Sequence, residues 1–180
     1  MVIPSGAVNA KPGHASLTRM NPTIADDKNF AFNAVIFKPI VGTGTGVSGI
    51  TFQSTGTADA EAARLQWVVN GTQSYLVFAV HSPDPKNHTL LERATFDLNT
   101  LPKRPTKLTI RLARNGSKYT AWYRTGDADT DFVKIGQEEN NTLGGDGKLA
   151  IFASNVGAGN PKLYPRVVAR FDGASGSIEK

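Results

Sequence analysis

The sequence predicts an all-β fold, and three observations carry that prediction. Short runs rich in β-branched and aromatic residues recur at close spacing, each is bounded by Gly, Pro, Asn or Asp, and no long helical period runs through the chain. Eighteen Gly and ten Pro in 180 residues supply the turn chemistry that many short strands need. The runs fall at about 29–39, 47–54, 62–70, 74–81, 89–97, 106–114, 117–125, 131–137, 147–154 and 165–172. That rhythm argues for a sandwich or barrel. Residues 1–28 read as a partly irregular lead-in with one early edge strand.

A chain of this length fits one domain, 1–180, with room for a real core. Gly42-Thr43-Gly44-Thr45-Gly46 is too short for an interdomain linker and reads as a loop. The opening Met1-Val2-Ile3-Pro4-Ser5-Gly6 lacks the basic and apolar regions of a signal peptide, so the chain reads as a module excised from a longer protein.

The sharpest local signal is Asn115-Gly116, the preferred pair for a two-residue type I′ turn. Centred there, the turn places Arg114 opposite Ser117, Leu112 opposite Tyr119, Ile110 opposite Ala121 and Leu108 opposite Tyr123. The apolar pairs share one face. The other face carries Arg111 with Thr120, Thr109 with Trp122, and Lys107 with Arg124. Side chains alternate along a strand, so the two sets stay apart unless a bulge intervenes. Trp122 therefore falls on a polar face, either as a platform for a ligand or as a ring covered by a neighbouring loop or second sheet. Trp67 shares parity with Leu65 and Val69 and reads as core. The turn at Asn70-Gly71-Thr72 leaves its partner open between Tyr75 and Leu76.

The net charge is +5, from 20 basic and 15 acidic residues, and the cations are scattered. No basic run marks a nucleic-acid or membrane patch, and no apolar stretch is long enough for a membrane helix. The charge favours anionic partners weakly, acidic polysaccharides among them. With no cysteine, disulfides and thiolate chemistry are excluded.

From residue 106 onward the pattern is more specific. Leu108-Thr-Ile-Arg-Leu-Ala-Arg-Asn-Gly-Ser-Lys-Tyr-Thr-Ala-Trp-Tyr123 is followed by Phe132-Val-Lys-Ile-Gly136, Gly147-Lys-Leu-Ala-Ile-Phe-Ala-Ser154 and Val168-Ala-Arg-Phe-Asp172. This order resembles the concanavalin A-like lectin/glucanase modules appended to glycosidases such as β-xylosidases. In the first hundred residues, Val47-Ser-Gly-Ile-Thr-Phe52 is the best point of likeness. The resemblance implies a two-sheet antiparallel β-sandwich of jelly-roll type and glycan binding, on a secreted or cell-surface protein whose other part is catalytic.

Catalytic signals are sparse. Glucanases of that superfamily carry Glu-x-Asp-x-x-Glu on one strand face, and no such motif occurs here. Glu92 and Asp97 stand five residues apart, which puts them on opposite faces of a regular strand. Glu138-Glu139 reads as a solvated, turn-like pair. His81 and His88, with Asp84 and Glu92 nearby, imitate a metal or base cluster but read as surface histidines of a hairpin loop. Gly173-Ala-Ser-Gly-Ser177 at the tail fails the spacing of a nucleophile elbow. Asp127-Ala-Asp-Thr-Asp131 imitates a calcium loop, but Phe132 stands where Gly must turn, so it reads as a solvated turn. A structural Ca²⁺ elsewhere is common in sandwich binding modules, with Asp26, Asp27 and Asp172 as oxygen donors to inspect. Four Asn-x-Ser/Thr sequons occur, at Asn70, Asn87, Asn115 and Asn140, and each also fits plain turn chemistry.

The expectation is a non-catalytic, monomeric carbohydrate-binding module with no certain cofactor. Trp122 would stack on a pyranose of a polysaccharide or oligosaccharide, and Arg124, Arg111 and Lys107 would bind its hydroxyls or carboxylates. The alternatives are a polysaccharide hydrolase or lyase of the same fold, and a structural or adhesive sandwich.

Overall fold

The computed structural model describes residues 2–3, 19–41, 44–54, 61–82, 90–126, 131–140, 146–156, 167–168 and 171–179. Among the described residues fourteen strands form: β1 (Val2–Ile3), β2 (Arg19–Ile24), β3 (Asn29–Phe37), β4 (Ile40–Val41), β5 (Thr45–Ser54), β6 (Glu61–Asn70), β7 (Gln73–His81), β8 (Leu90–Asp97), β9 (Lys107–Asn115), β10 (Lys118–Arg124), β11 (Val133–Glu139), β12 (Gly147–Val156), β13 (Val167–Val168) and β14 (Phe171–Glu179). A 3₁₀ turn over Leu98–Thr100 is capped by the Asp97 side chain on the Asn99 amide.

The chain is an all-β, two-sheet antiparallel sandwich. A five-stranded sheet has the order β11-β10-β9-β3-β14 and a six-stranded sheet the order β2-β12-β5-β6-β7-β8, while β1, β13 and β4 make a small third ribbon. Nine of the ten expected strands are present within two residues of their predicted bounds, whereas the run expected over 165–172 is divided between β13 in the small ribbon and β14, which continues to Glu179 in the five-stranded sheet. The lead-in supplies β2 at an edge of the larger sheet, and the tail read as Gly173–Ser177 lies inside the edge strand β14.

One apolar core joins the two sheets. Phe30, Phe32, Ala34 and Ile36 of β3 alternate with half-buried residues, and Leu108, Ile110, Leu112, Tyr119, Ala121 and Tyr123 continue that inner face across β9 and β10. Opposite them stand Ile50, Phe52, Leu65, Trp67, Leu76 and Phe78. Phe52 links the layers, with ring centroids 4.9 Å from Phe30 and 6.2 Å from Tyr119. Trp67 is fully buried and pairs with Leu76, which settles its register, and its indole N–H donates to Ser74 Oγ at 2.8 Å. That bond is what allows a buried indole to keep its polar atom satisfied.

The β9–β10 hairpin differs in register from the expectation. Asn115 pairs with Lys118, so the two central turn residues are Gly116 and Ser117 rather than Asn115 and Gly116. Gly116 takes φ +58°, which its lack of a Cβ permits, and its amide donates to Asn29 Oδ1 at 2.8 Å. Arg114 thus faces Tyr119, Leu112 faces Ala121 and Ile110 faces Tyr123. The shift is two residues, an even number, so the division of side chains between faces survives.

Arg114 follows Leu112 onto the inner face and is 3% exposed. Its guanidinium donates to the carbonyls of Ala25 at 2.8 Å and Lys28 at 2.6 Å, lies 3.7 Å from an Asp26 carboxylate oxygen, and sits 4.9 Å over the Phe52 ring. A cation at the end of an apolar core is tolerated because these acceptors replace its water. The β2–β3 turn is thereby tied over that end of the sandwich.

The two sheets differ in how they meet solvent. The outer face of β3 is only half-buried, whereas β5 is buried continuously from Gly46 to Phe52. Val47, Val68, Val77 and Phe152 form a second small cluster on the outer face of the six-stranded sheet. Gly49 belongs to this crowding: a Cβ there would collide with the Leu65 carbonyl and lie 2.8 Å from Gln66 Cα. Both obstacles are backbone and cannot turn aside.

Gly49→Ala is therefore expected to cost about 3 kcal/mol or more in urea unfolding, whereas Gly71→Ala, strained at φ +59° but in open space, should cost about 1 kcal/mol. Tyr119 supplies a pH test. Burial raises its phenol above the ordinary value of 10, with nearby Arg114 opposing. A raised folded pKa means that this stabilisation is complete below pH 10 and is lost as pH rises through the folded value. Thermal midpoints measured from pH 8 upward should fall beyond pH 10, and Tyr119→Phe should flatten that fall.

Candidate functional site

The outer face of the five-stranded sheet holds the residues predicted to bind a ligand. In the observed register Trp122 stands directly opposite Arg111, which stands opposite Asn33, so the three form one row across β10, β9 and β3. Trp122 is half-buried, not sealed in the core. Its neighbour on β11 is Lys134. Arg124 faces Thr109 and Lys107 faces Phe37, both on the same outer face and towards one end of the sheet. All four predicted residues therefore share a surface, as the alternation required.

Their surroundings are more built than the sequence suggested. Arg111 Nε donates to Asn33 Oδ1 at 2.7 Å, and its guanidinium lies 3.8 Å from the Phe132 ring centroid. The Arg124 guanidinium lies 4.9 Å from the same ring. Phe132, read from the sequence only as an obstacle in a calcium-like loop, thus packs on both arginines and holds them in place. Such contacts fix an otherwise floppy guanidinium, reducing the entropy lost when it binds. No sequence periodicity could place Phe132 there, because it precedes β11 and reaches the arginines through the fold. Asn33 was missed too, although its position on the polar parity of β3 was a usable signal.

The opposite outer face, on the six-stranded sheet, also carries polar groups that the sequence did not flag. Arg64 lies 4.9 Å over the Phe152 ring, and its Nη1 donates to Gln66 Oε1 at 3.5 Å. Burial pushes the Arg64 guanidinium down to about 10. A β-bulge near Arg93 corrects one expectation: Asp97 faces Tyr75 and Glu92 faces Ala79, two residues of one β7 parity, so the carboxylates share a face. Thr95 donates to Glu92 on that face. Four residue steps along β7 set Glu92 and Asp97 about 13 Å apart at the backbone, and the Asp97 carboxylate is engaged by the Asn99 amide at 2.8 Å as the cap of the 3₁₀ turn.

Other expectations are corrected as well. His81 is not a surface histidine: it is 2% exposed, and its Nδ1 lies 2.8 Å from the Ser82 carbonyl, an acceptor, so that nitrogen carries the proton. Asn140 is 5% exposed and donates to the His81 carbonyl at 2.7 Å, tying the two sheets together instead of offering a free sequon. Glu138 and Glu139 lie in β11 rather than in a turn, with Glu138 3.5 Å from Arg93 across the sheets and Glu139 3.6 Å from Lys118. Asn70 and Asn115 are exposed at hairpin tips. His88, Asp84, Asn87 and residues 127–130 lie outside the described residues.

Among the described residues no group of three or more His, Asp and Glu converges on a metal-sized site. The Asp26 carboxylate approaches Arg114, and the Asp26 backbone amide donates to Asp146 Oδ1 at 3.2 Å. Asp27 is hydrogen-bonded by Lys28, which lowers its carboxyl below the ordinary value. Among the described residues no helix is long and apolar enough to cross a membrane.

No protein-family model matches the sequence, and no curated protein does. Solved structures match in shape. The CBM2 module of the evolved Dit protein of Lactobacillus casei BL23 phage J-1 superposes with TM-score 0.54 at 15% identity, covering 91% of this chain and 69% of that one. An alginate lyase from Klebsiella pneumoniae gives 0.53 at 13%, covering 83% and 59%. The GH43 protein BlXynB from Bacillus licheniformis gives 0.55 at 13%, covering 82% of this chain and 27% of that one. The chain thus spans about three-fifths of the lyase and about a quarter of the GH43 protein. At such identities the likeness establishes the sandwich fold shared with these carbohydrate-related proteins.

The contrast between the two indoles is directly measurable. In Trp67→Phe, the remaining Trp122 should be quenched by iodide. In Trp122→Phe, the remaining Trp67 should be blue-shifted and resist quenching. Equal quenching of the two would contradict the assigned faces.

Proposed function

We propose that this chain is a non-catalytic carbohydrate-binding module of concanavalin A-like type that takes a polysaccharide on the outer face of its five-stranded sheet. The observation that supports this most is the Trp122–Arg111–Asn33 row, an accessible indole beside a guanidinium already oriented by Asn33 and Phe132. The indole offers an apolar face to a pyranose ring, and the amide and guanidinium offer hydrogen bonds to its hydroxyls. Arg124 and Lys107 extend the donors along the same face. A rigid sheet is suited to the task, since little order must be imposed on binding. The module would act on a secreted or cell-surface protein, beside a catalytic domain.

A hydrolase or lyase reading has less support, because the two carboxylates that the bulge brings to a common face are engaged locally, Glu92 by the Thr95 hydroxyl and Asp97 by the Asn99 amide.

Retention on insoluble xylan, cellulose and calcium-gelled alginate tests the proposal. The wild-type chain should be retained on at least one, and Trp122→Ala should weaken retention about tenfold or more while its urea midpoint stays close to wild type. Retention that Trp122→Ala leaves intact would overturn the assignment of the site. Release of reducing ends or unsaturated products would replace it with the enzyme reading. No retention at all would leave a structural spacer.

A further inference from the structure

The end of the sandwich beside Lys107 carries a feature that, Lys107 itself apart, the sheet face does not use. Leu101-Pro-Lys-Arg-Pro-Thr-Lys107 places three cations and two prolines in seven residues, with no acid. The prolines fix φ and stiffen the segment. It shapes a groove of about 500 Å³ whose lining includes Leu101, Lys103, Arg104, Lys107 and Thr125. Thr106 lines this groove and also a second one, of about 590 Å³, with Phe37, Lys38, Pro39, Ile40 and Val69. The amide of Lys38 donates to the Thr106 carbonyl at 2.9 Å, so the two grooves are tied by a backbone bond.

The chemistry of the two grooves is complementary. The first is cationic, and the second is mainly apolar with Ile40 67% exposed. No described residue lining either groove is acidic. Lys38, Lys103 and Arg104 form no ion pair with a described residue. Like charges gathered around a concave surface repel one another, and a bound anion relieves that repulsion while the groove focuses the field on it.

We infer that this end groove is a second binding site, for a carboxylated sugar chain. The sugar carboxylates would sit on Lys103, Arg104 and Lys38, and the apolar faces of the pyranose rings would lie along Ile40 and Val41. The inference rests on the polysaccharide reading for the sugar, and on the grooves alone for the charge. A nucleic acid would offer phosphates to the same cations, but of the residues lining the two grooves only the half-buried Phe37 is aromatic, which gives unstacked bases little to lie on.

Calorimetric titration of the intact chain with a soluble oligogalacturonate, and with a neutral xylo-oligosaccharide of equal length, tests it. The acidic sugar should bind and the neutral one should bind this site at least about tenfold more weakly, with affinity for the acidic sugar falling about tenfold between about 0.05 and about 0.5 M NaCl as the exposed cations are screened. Lys103→Ala/Arg104→Ala should lose that binding, Lys103→Arg should keep it, and Trp122→Ala should keep it. Failure of wild type to bind oligogalacturonate, equal binding by the double alanine variant, or displacement by a short single-stranded DNA at lower concentration than by the sugar would each overturn the inference. The two sites fail separately. Retention that depends on Trp122 without oligogalacturonate binding removes the groove and keeps the sheet face. Oligogalacturonate binding lost in the double variant, with no Trp122-dependent retention, does the reverse.

Discussion

The two-residue turn at Gly116 and Ser117 is the constraint on which the rest of the molecule hangs. It requires a positive φ at its first central position, Gly116 supplies that, and Asn29 holds the amide from the neighbouring strand. Once Asn115 is paired with Lys118, alternation leaves no freedom. Leu108, Ile110, Leu112 and Arg114 enter the core with Tyr119, Ala121 and Tyr123, and Lys107, Thr109, Arg111, Trp122 and Arg124 face outward. A one-residue slip of β9 would turn Arg111 inward and expose Leu108, Ile110 and Leu112. That exchange would forfeit about 1.5–3 kcal/mol for each large apolar side chain exposed, besides the cost of burying charge.

The same alternation that exposes one sheet is overridden in the other. In β5, β6, β7 and β12 the outward positions are filled by Val47, Gly49, Thr51, Val68, Val77 and Phe152, small or apolar side chains that tolerate burial. The six-stranded sheet is accordingly buried on both sides over its centre, while the five-stranded sheet keeps the polar outer face usual for antiparallel sheets. This asymmetry decides where an aromatic can meet solvent. It also explains why Arg64, desolvated and laid on Phe152, belongs to a different class of site from Arg111.

Charge placement follows from the same geometry. Arg114 and Arg111 are three residues apart on one strand, yet one plugs the core and the other lies on the surface. Odd spacing sends them to opposite faces. Arg114 is satisfied by the β2–β3 turn, so its charge is structural. Lys103 and Arg104, in the loop before β9, have no such acceptors among the described residues, and their concentration at one end is a property of the loop sequence displayed by the fold.

Strand rhythm, the apolar face of the hairpin and the burial of Trp67 were all legible in the amino-acid order, because local alternation and turn residues act over a few positions and the core must take the apolar parity. Contacts between distant segments were not legible. Phe132 reaches Arg111 and Arg124 through space, the bulge near Arg93 turns Glu92 and Asp97 to one side, and Asn140 finds the His81 carbonyl across the sandwich. The two-residue offset of the hairpin was equally invisible, since Asn-Gly and Gly-Ser turns read alike until Asn29 is brought alongside. Alternation is a one-dimensional rule and survives folding. Which residues meet across layers depends on strand order, twist and bulges, and those are set only when the two sheets close on each other.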